Sequence, residues 1–312
     1  RLFWELSSDS IKFRRNLGWV DIKFGNQQPI RISQSKISIN DEIISNNRII
    51  YAADIIKWNR EPWEEPSVPK EWEVIFDNGD ILAINKPSGL PVMPGGGFLE
   101  HTLCTLLKNK SIENNEKSYP KPIHRLGRFT SGVLLCARKK ESRAELSRLI
   151  RTNTKQSNSI KRIYRGLAQT NQNLELNDYI LINVPIVKQT HQKLGYIWNW
   201  EKESINFNNH QKTNISLPAK SHIRLLEKRK DADLLEIIIS TGRPHQIRIH
   251  LASIGTPLIG DPLYKINGNI SNIATPGEGG YQLHCHKFEN LIINNKEFSF
   301  QANPPNILQI GM

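Results

Sequence analysis

Cysteine is scarce in this chain, with three residues in 312: Cys104, Cys136 and Cys285. An odd number at wide spacing offers neither a disulfide framework nor a Cys-x-x-Cys metal pair, so a reducing, cytoplasmic setting is the expectation. Long apolar runs are missing too. No stretch approaches the roughly 18–20 residues a membrane helix needs, no basic-then-apolar start marks a secretory leader, and no membrane partner is expected. There is no repeat of the solenoid kind. The one glycine cluster, Pro94-Gly95-Gly96-Gly97, lacks the Lys-Ser/Thr of a nucleotide-binding loop and reads as a tight strand-to-helix turn, with an amide nest for a phosphate as the alternative.

Acidic residues are missing from one region above all. Between Lys121 and Arg165 there are 13 basic residues against two acidic ones, Glu141 and Glu145, which accounts for nearly all of the formal net charge of +12. A field clustered in this way attracts a polyanion and speeds its arrival. The plainer alternative is a solvated basic helix face. An anionic membrane fits less well, because no Trp/Phe-edged amphipathic segment accompanies the charge. His284-Cys285-His286 could suggest zinc, but it has no second Cys/His pair at metal spacing, and on a strand His284 and His286 would share one face. No metal and no cofactor are expected.

What is present is the composition of a globular protein, 38% hydrophobic and 23% charged. Residues 1–60 are polar, with short alternating runs such as Lys36-Ile37-Ser38-Ile39, and predict a small β-containing module. Residues 61–70, with three prolines, predict a linker, and 71–312 predict the main domain. There the pattern predicts strands over Trp72–Phe76 and Ile81–Ile84 about an Asp-Asn-Gly-Asp turn, then Val133–Ala137, Arg162–Ala168 and Leu234–Ser240. It predicts helices over Phe98–Leu107, Lys139–Arg151 and Pro244–Ile254, with 188–220 a surface excursion. Irregularly alternating strands with few helices give an α+β fold.

Four segments stand in a telling order: Ile84-Asn85-Lys86-Pro87-Ser88-Gly89-Leu90; His124-Arg125-Leu126-Gly127-Arg128-Phe129-Thr130-Ser131-Gly132; Lys161-Arg162-Ile163-Tyr164; and Thr241-Gly242-Arg243-Pro244-His245-Gln246-Ile247-Arg248, continued by Gly260-Asp261-Pro262-Leu263-Tyr264 and Leu283-His284-Cys285-His286. Together they resemble the RluA family of RNA pseudouridine synthases over about residues 72–290. Residues 32–58 faintly resemble the second half of the alpha-L RNA-binding module. The family resemblance implies a mixed, mainly antiparallel sheet crossed by a basic cleft. It also implies an RNA partner (rRNA or tRNA) and isomerisation of a flipped-out uridine without cofactor; a monomer is expected. By family position Tyr164 and Arg248 are the catalytic candidates. His124, Arg125, Arg128, Thr130, Ser131 and Arg243 are the candidates for substrate binding.

Gly127 breaks the pattern. In most of the family an aspartate stands there, and glycine can supply neither a base nor a nucleophile. If Arg248 sits as in relatives, it needs another anion, either an RNA phosphate or a carboxylate from elsewhere; Asp261 and Asp80 are the nearest in the motifs. Three readings follow: an active isomerase in which another carboxylate fills the gap, an impaired RNA-binding homologue serving RNA folding or ribosome assembly, or a subgroup whose catalysis differs from the family pattern. With Arg248 in its family position, restoring the carboxylate by Gly127→Asp is expected to raise isomerisation; equal activity in both chains would mean that the carboxylate comes from elsewhere.

Overall fold

The computed structural model describes residues 10–14, 19–23, 30–33, 36–59, 64–95, 97–152, 160–191, 195–200, 216–271, 274, 277–293 and 296–311. The chain divides into two compact units, residues 1–64 with 192–194, and 65–191 with 195–312. In the first unit the described elements are strands: β1 (Ser10–Arg14), β2 (Trp19–Lys23), β3 (Ile30–Ser33), β4 (Lys36–Ile39), β5 (Glu42–Ile44), β6 (Arg48–Ile49) and β7 (Ile56–Asn59). They form two antiparallel sheets, β3-β2-β1-β6 and β5-β4-β7. The period-2 alternation turns Val20, Ile22, Ile37 and Ile39 inward, where they share a small core with Ile50.

The second unit carries β8 (Glu73–Asp77), β9 (Ile81–Lys86), α1 (Leu103–Glu113), β10 (Lys121–Pro122), β11 (Thr130–Ala137), α2 (Lys140–Thr152), β12 (Lys161–Ala168) and β13 (Tyr179–Ile182). After these come β14 (Ile186–His191), β15 (Gly195–Trp200), β16 (Ser216–Leu217), β17 (Ser221–Lys228), β18 (Asp233–Ile239), α3 (Gln246–Ser253), β19 (Leu283–Ile293) and β20 (Lys296–Gln301). Ten strands make one sheet in the order β13-β17-β18-β12-β19-β11-β9-β8, with β10 beside β11 and β20 beside β19. The β11–β19 pairing is parallel, and its neighbours pair antiparallel. The fold class is thus α+β with a mixed, mainly antiparallel sheet.

β11 reads Thr-Ser-Gly-Val-Leu-Leu-Cys-Ala and is buried along its whole length, as a strand covered on both faces must be. Its parallel contact depends on Gly132, whose φ is +105° and where a Cβ would lie 2.2 Å from the Cys285 carbonyl oxygen. No residue with a side chain fits there. This close approach lays the start of β11, and the loop before it, against the start of β19.

The expected helices all exist, with shifted ends. α1 begins at Leu103 because the Thr102 hydroxyl caps it by accepting from the Thr105 amide. Residues 99–101 are diverted, since the Glu65 carboxylate accepts their three backbone amides. α3 begins at Gln246 because His245 takes a left-handed φ of +53°. The 188–220 stretch is no surface excursion. It carries β14, β15 and β16, and Trp198 and Trp200 pack with Ile186, Ile197, Ile249, Leu263 and Tyr264. The alternation over Gly195–Trp200 is too short to stand out within a polar sequence; residues 201–215 lie outside the described residues.

Candidate active site

The signature loop, residues 124–129, is held from behind. Lys86 is fully buried, and its ammonium donates to the carbonyls of Pro87, Leu90 and Arg128. Burial, helped by the Arg128 charge, holds its pKa down to about 7. Ser88 donates to the Phe129 carbonyl, and the Gly89 amide to that of Arg128. Arg128 returns a bond to the Gly89 carbonyl and lies over the Phe98 and Phe129 rings. The Asn-Lys-Pro-Ser-Gly-Leu segment is therefore a latch that fixes the loop.

In front of the loop lies a cavity of about 730 Å³, within the range of small-ligand sites. Its walls come from the loop (His124, Arg125, Gly127), from β12 (Arg162, Tyr164), from the turn into α3 (Thr241, Arg243, His245, Arg248) and from Tyr281 and Leu283 at the entry to β19. Ser147, Ile150 and Arg151 of α2 complete one side. Five arginines line it and, among the described residues, no Asp or Glu does. A site so charged attracts an anion.

Arg248 is 4% exposed and forms a bidentate ion pair with Asp261, Nε to Oδ2 at 2.6 Å and Nη2 to Oδ1 at 2.7 Å. Burial alone would lower the arginine's pKa; the hydrogen bonds and charge of Asp261 more than offset this and raise it. Its guanidinium lies 5.0 Å from the Tyr264 ring centroid and 4.5 Å from that of Tyr281. Asp261 reaches this position because Gly260, at φ +75°, lets its backbone press against Gly280, where a Cβ would be 2.3 Å from the carbonyl oxygen. The same contact places Tyr281 beside Arg248. The missing partner of Arg248 thus comes from Gly-Asp-Pro-Leu-Tyr. The other candidate, Asp80, is used elsewhere, accepting from the Lys139 amide and the Ser142 hydroxyl at the start of α2.

Tyr164 is 6% exposed and faces the cavity from the centre of the sheet. Burial first, and then the neighbouring Cys285 thiol, push its pKa well up, so the hydroxyl stays protonated. A shift in the β12–β19 register between Ile163 and Tyr164 sets the aim of its side chain. His245 is held neutral, its pKa pushed down to about 3 by burial and by the Arg248 charge. The Tyr264 hydroxyl donates its one hydrogen to the Trp198 carbonyl, so His245 Nδ1 must donate to Tyr264 and Nε2 is left an acceptor.

Of the residues expected from sequence, Tyr164, Arg248, His124, Arg125, Thr130 and Arg243 meet around this one cavity, with Gly127. Two do not. Arg128 belongs to the latch, and Ser131 points away, with its hydroxyl bonded to His284 Nδ1 at 2.8 Å. His124 does part of its work in the scaffold, where Nε2 accepts the Leu135 amide. His284 and His286 both turn to the Ala302 carbonyl. Sequence reading missed Arg162, Arg151, His245 and above all Tyr281. The sole trace of Tyr281 is an aromatic after Gly279-Gly280, next to the Leu-His-Cys-His run.

At Gly127 the place of a side chain is already taken. A Cβ there would stand 2.5 Å from the Tyr281 hydroxyl oxygen and 3.2 Å from Thr130 Oγ1. An aspartate would therefore enter an occupied space and find Arg248 already paired. Gly127→Asp is therefore expected to give no gain in isomerisation, in contrast to the expectation from sequence.

The RNA pseudouridylate synthase family profile matches residues 80–253. RNA pseudouridine synthase 5 of Arabidopsis thaliana is 34% identical, covering 94% of this chain and 85% of its own. An RNA pseudouridine synthase of Synechocystis sp., itself uncharacterised, is 37% identical over 86% of this chain and 84% of its own. Among solved structures, human RNA pseudouridylate synthase domain containing 1 has a TM-score of 0.55 at 17% identity, over 79% of this chain and 89% of its own. At that identity the likeness is one of fold.

Proposed function

This chain belongs to the RNA pseudouridylate synthase family and is an RNA pseudouridine synthase, an isomerase; we propose that the cavity beside Gly127 is where a uridine of rRNA or tRNA is isomerised. The observation that carries the reading is the meeting of the signature loop, Tyr164 and Arg248 around one cationic hollow whose wall holds no carboxylate among the described residues. Arg125 and Arg151, both exposed, stand where an RNA backbone would pass. Ile123, Ile239, Ile247 and Leu283 give the apolar wall that a detached base needs if it is not to escape.

In this reading the nucleotide leaves its stack and enters between the loop and α3. The Tyr164 ring packs against the base, and its protonated hydroxyl serves as a donor. Arg248, locked by Asp261, keeps a fixed positive charge facing the developing charge of the cleaved base. Such a fixed charge needs no reorganisation as the bond breaks, which is how a preorganised site lowers a barrier.

The test is to incubate the purified chain with total RNA lacking pseudouridine and to map new pseudouridine chemically. New sites that disappear with Tyr164→Phe support the proposal. Tight RNA binding with no pseudouridine formed would refute it and favour a chain that only binds RNA.

A further inference from the structure

The cavity has no acidic side chain at its wall among the described residues, yet the position that lacks one is filled. The Tyr281 hydroxyl lies 2.5 Å from where the first side-chain atom of residue 127 would be. Tyr281 is 4% exposed but lines the cavity, and its oxygen stands 3.4 Å from Thr130 Oγ1. The Arg248 guanidinium lies over its ring at 4.5 Å, and Phe129 meets that ring edge-on at 6.4 Å between centroids. The hydroxyl is thus an oxygen held at the cavity wall, on a ring whose face the Arg248 guanidinium covers.

We propose that Tyr281 is the catalytic residue that takes the part of the missing carboxylate, with its phenol oxygen as the nucleophile at the ribose. The inference rests on the uridine-isomerase reading above. Phenol oxygens are competent glycosyl nucleophiles when a positioned charge supports them. The oxygen bonds to C1′ as the C1′–N1 bond breaks, the bonding pair goes to N1, and N1 takes the phenol's proton. The base turns in the pocket. C5 then bonds to C1′, the C1′–O bond breaks with its pair returning to the oxygen, and the proton leaving C5 restores the phenol. The sum is an isomerisation, with no oxidant, reductant or co-reactant. Gly127 becomes a requirement on this account, because any side chain there displaces the oxygen.

Tyr281→Phe removes that oxygen and little else. The expected result is a single-turnover rate lowered by at least about 100-fold, with RNA affinity and melting temperature near those of the starting protein. A rate within about threefold of wild type, which is less than 1 kcal/mol of barrier, would overturn the assignment.

A second pair of variants separates chemistry from space filling, and applies even if Tyr281→Phe unfolds. Gly127→Ala pushes the hydroxyl aside and should slow the reaction. In Gly127→Ala with Tyr281→Phe, the methyl group occupies the volume that the hydroxyl gave up. A packing role predicts recovery of rate in that double variant; the catalytic role predicts recovery of melting temperature alone. Recovery of rate therefore sinks the proposal. If the wild-type chain forms no pseudouridine at all, the isomerase reading fails and this inference falls with it. If wild type and Tyr281→Phe are equally active, only the role of Tyr281 fails.

Discussion

Replacing Asp261 by asparagine keeps the shape of the side chain and removes its charge. The consequence can be worked out from the contacts. Arg248 loses the carboxylate that meets two of its nitrogens at 2.6 and 2.7 Å, while remaining 4% exposed. The amide NH2 of asparagine would point a donor at a donor. The backbone bonds from Leu263 and Tyr264 to Oδ1 can persist, because the asparagine oxygen still accepts them, so the loop itself keeps its caps. What is lost is the balance of a buried charge. Removing one partner of such a pair costs about 3–5 kcal/mol. For a domain of this size each kcal/mol moves the melting temperature by about 2–4 °C, so a fall of about 6–20 °C is expected. Circular dichroism melting and urea unfolding both report it. Adding Arg248→Met should return part of the loss, with a coupling of about 0.5–3 kcal/mol in the double-mutant cycle. Simple additivity, or a melting temperature within about 2 °C of wild type (about 1 kcal/mol or less), would mean that the charge of Arg248 is balanced by other groups.

Four further outcomes are expected. Tyr164→Phe should lower single-turnover isomerisation by about 10²–10⁴-fold with RNA affinity unchanged; an unaltered rate would make Tyr164 merely a wall. His250 and His284 are fully buried, and burial holds both near a pKa of about 4. Their unfolded forms take up protons below about pH 6.5, which the folded forms refuse, so stability is complete above that value. It should be lower by about 3 kcal/mol at pH 5.5 from these two alone, and melting temperatures flat between pH 7 and 5.5 would contradict this. Arg125→Ala with Arg151→Ala should reduce the slope of log affinity against log salt by about 0.7–0.9 per residue, with no change in melting temperature. An unchanged slope would place the RNA elsewhere. Gly132→Ala drives a Cβ into the Cys285 carbonyl and should abolish soluble folded protein; a normally folded variant would show that β11 and β19 can separate.

The latch between Lys86 and the signature loop shows what linear order carries. Both segments are contiguous runs in which identity and spacing are the information, so the family, the α+β class and the candidate set around Tyr164 and Arg248 were legible before any coordinates. So were β9, β11 and β18, because buried central strands carry apolar runs rich in β-branched residues and leucine, and β12 by its length and its Ile-Tyr centre. α1 and α3 were placed a few residues off, since their starts depend on a carboxylate 34 residues upstream of Leu99 and on the left-handed backbone of His245. β14–β16 were hidden for a related reason: the two tryptophans of β15 are half-buried in a cluster with Ile249 and Ala252 of α3, and no local pattern records that.

The absent aspartate was visible in the sequence, and so were Asp261 and Asp80 as candidates to pair with Arg248; the choice between them, and the place of Tyr281, were not. Asp261 and Tyr281 lie 134 and 154 residues beyond Gly127 in the chain. They come to it through two glycine backbones pressed together and a parallel strand contact. One-dimensional order states which side chains are available and which one is missing. Only the closing of the sheet decides which of the others stands close enough to answer, because charge pairing and hydroxyl placement act over a few ångströms of space, whatever the separation along the chain.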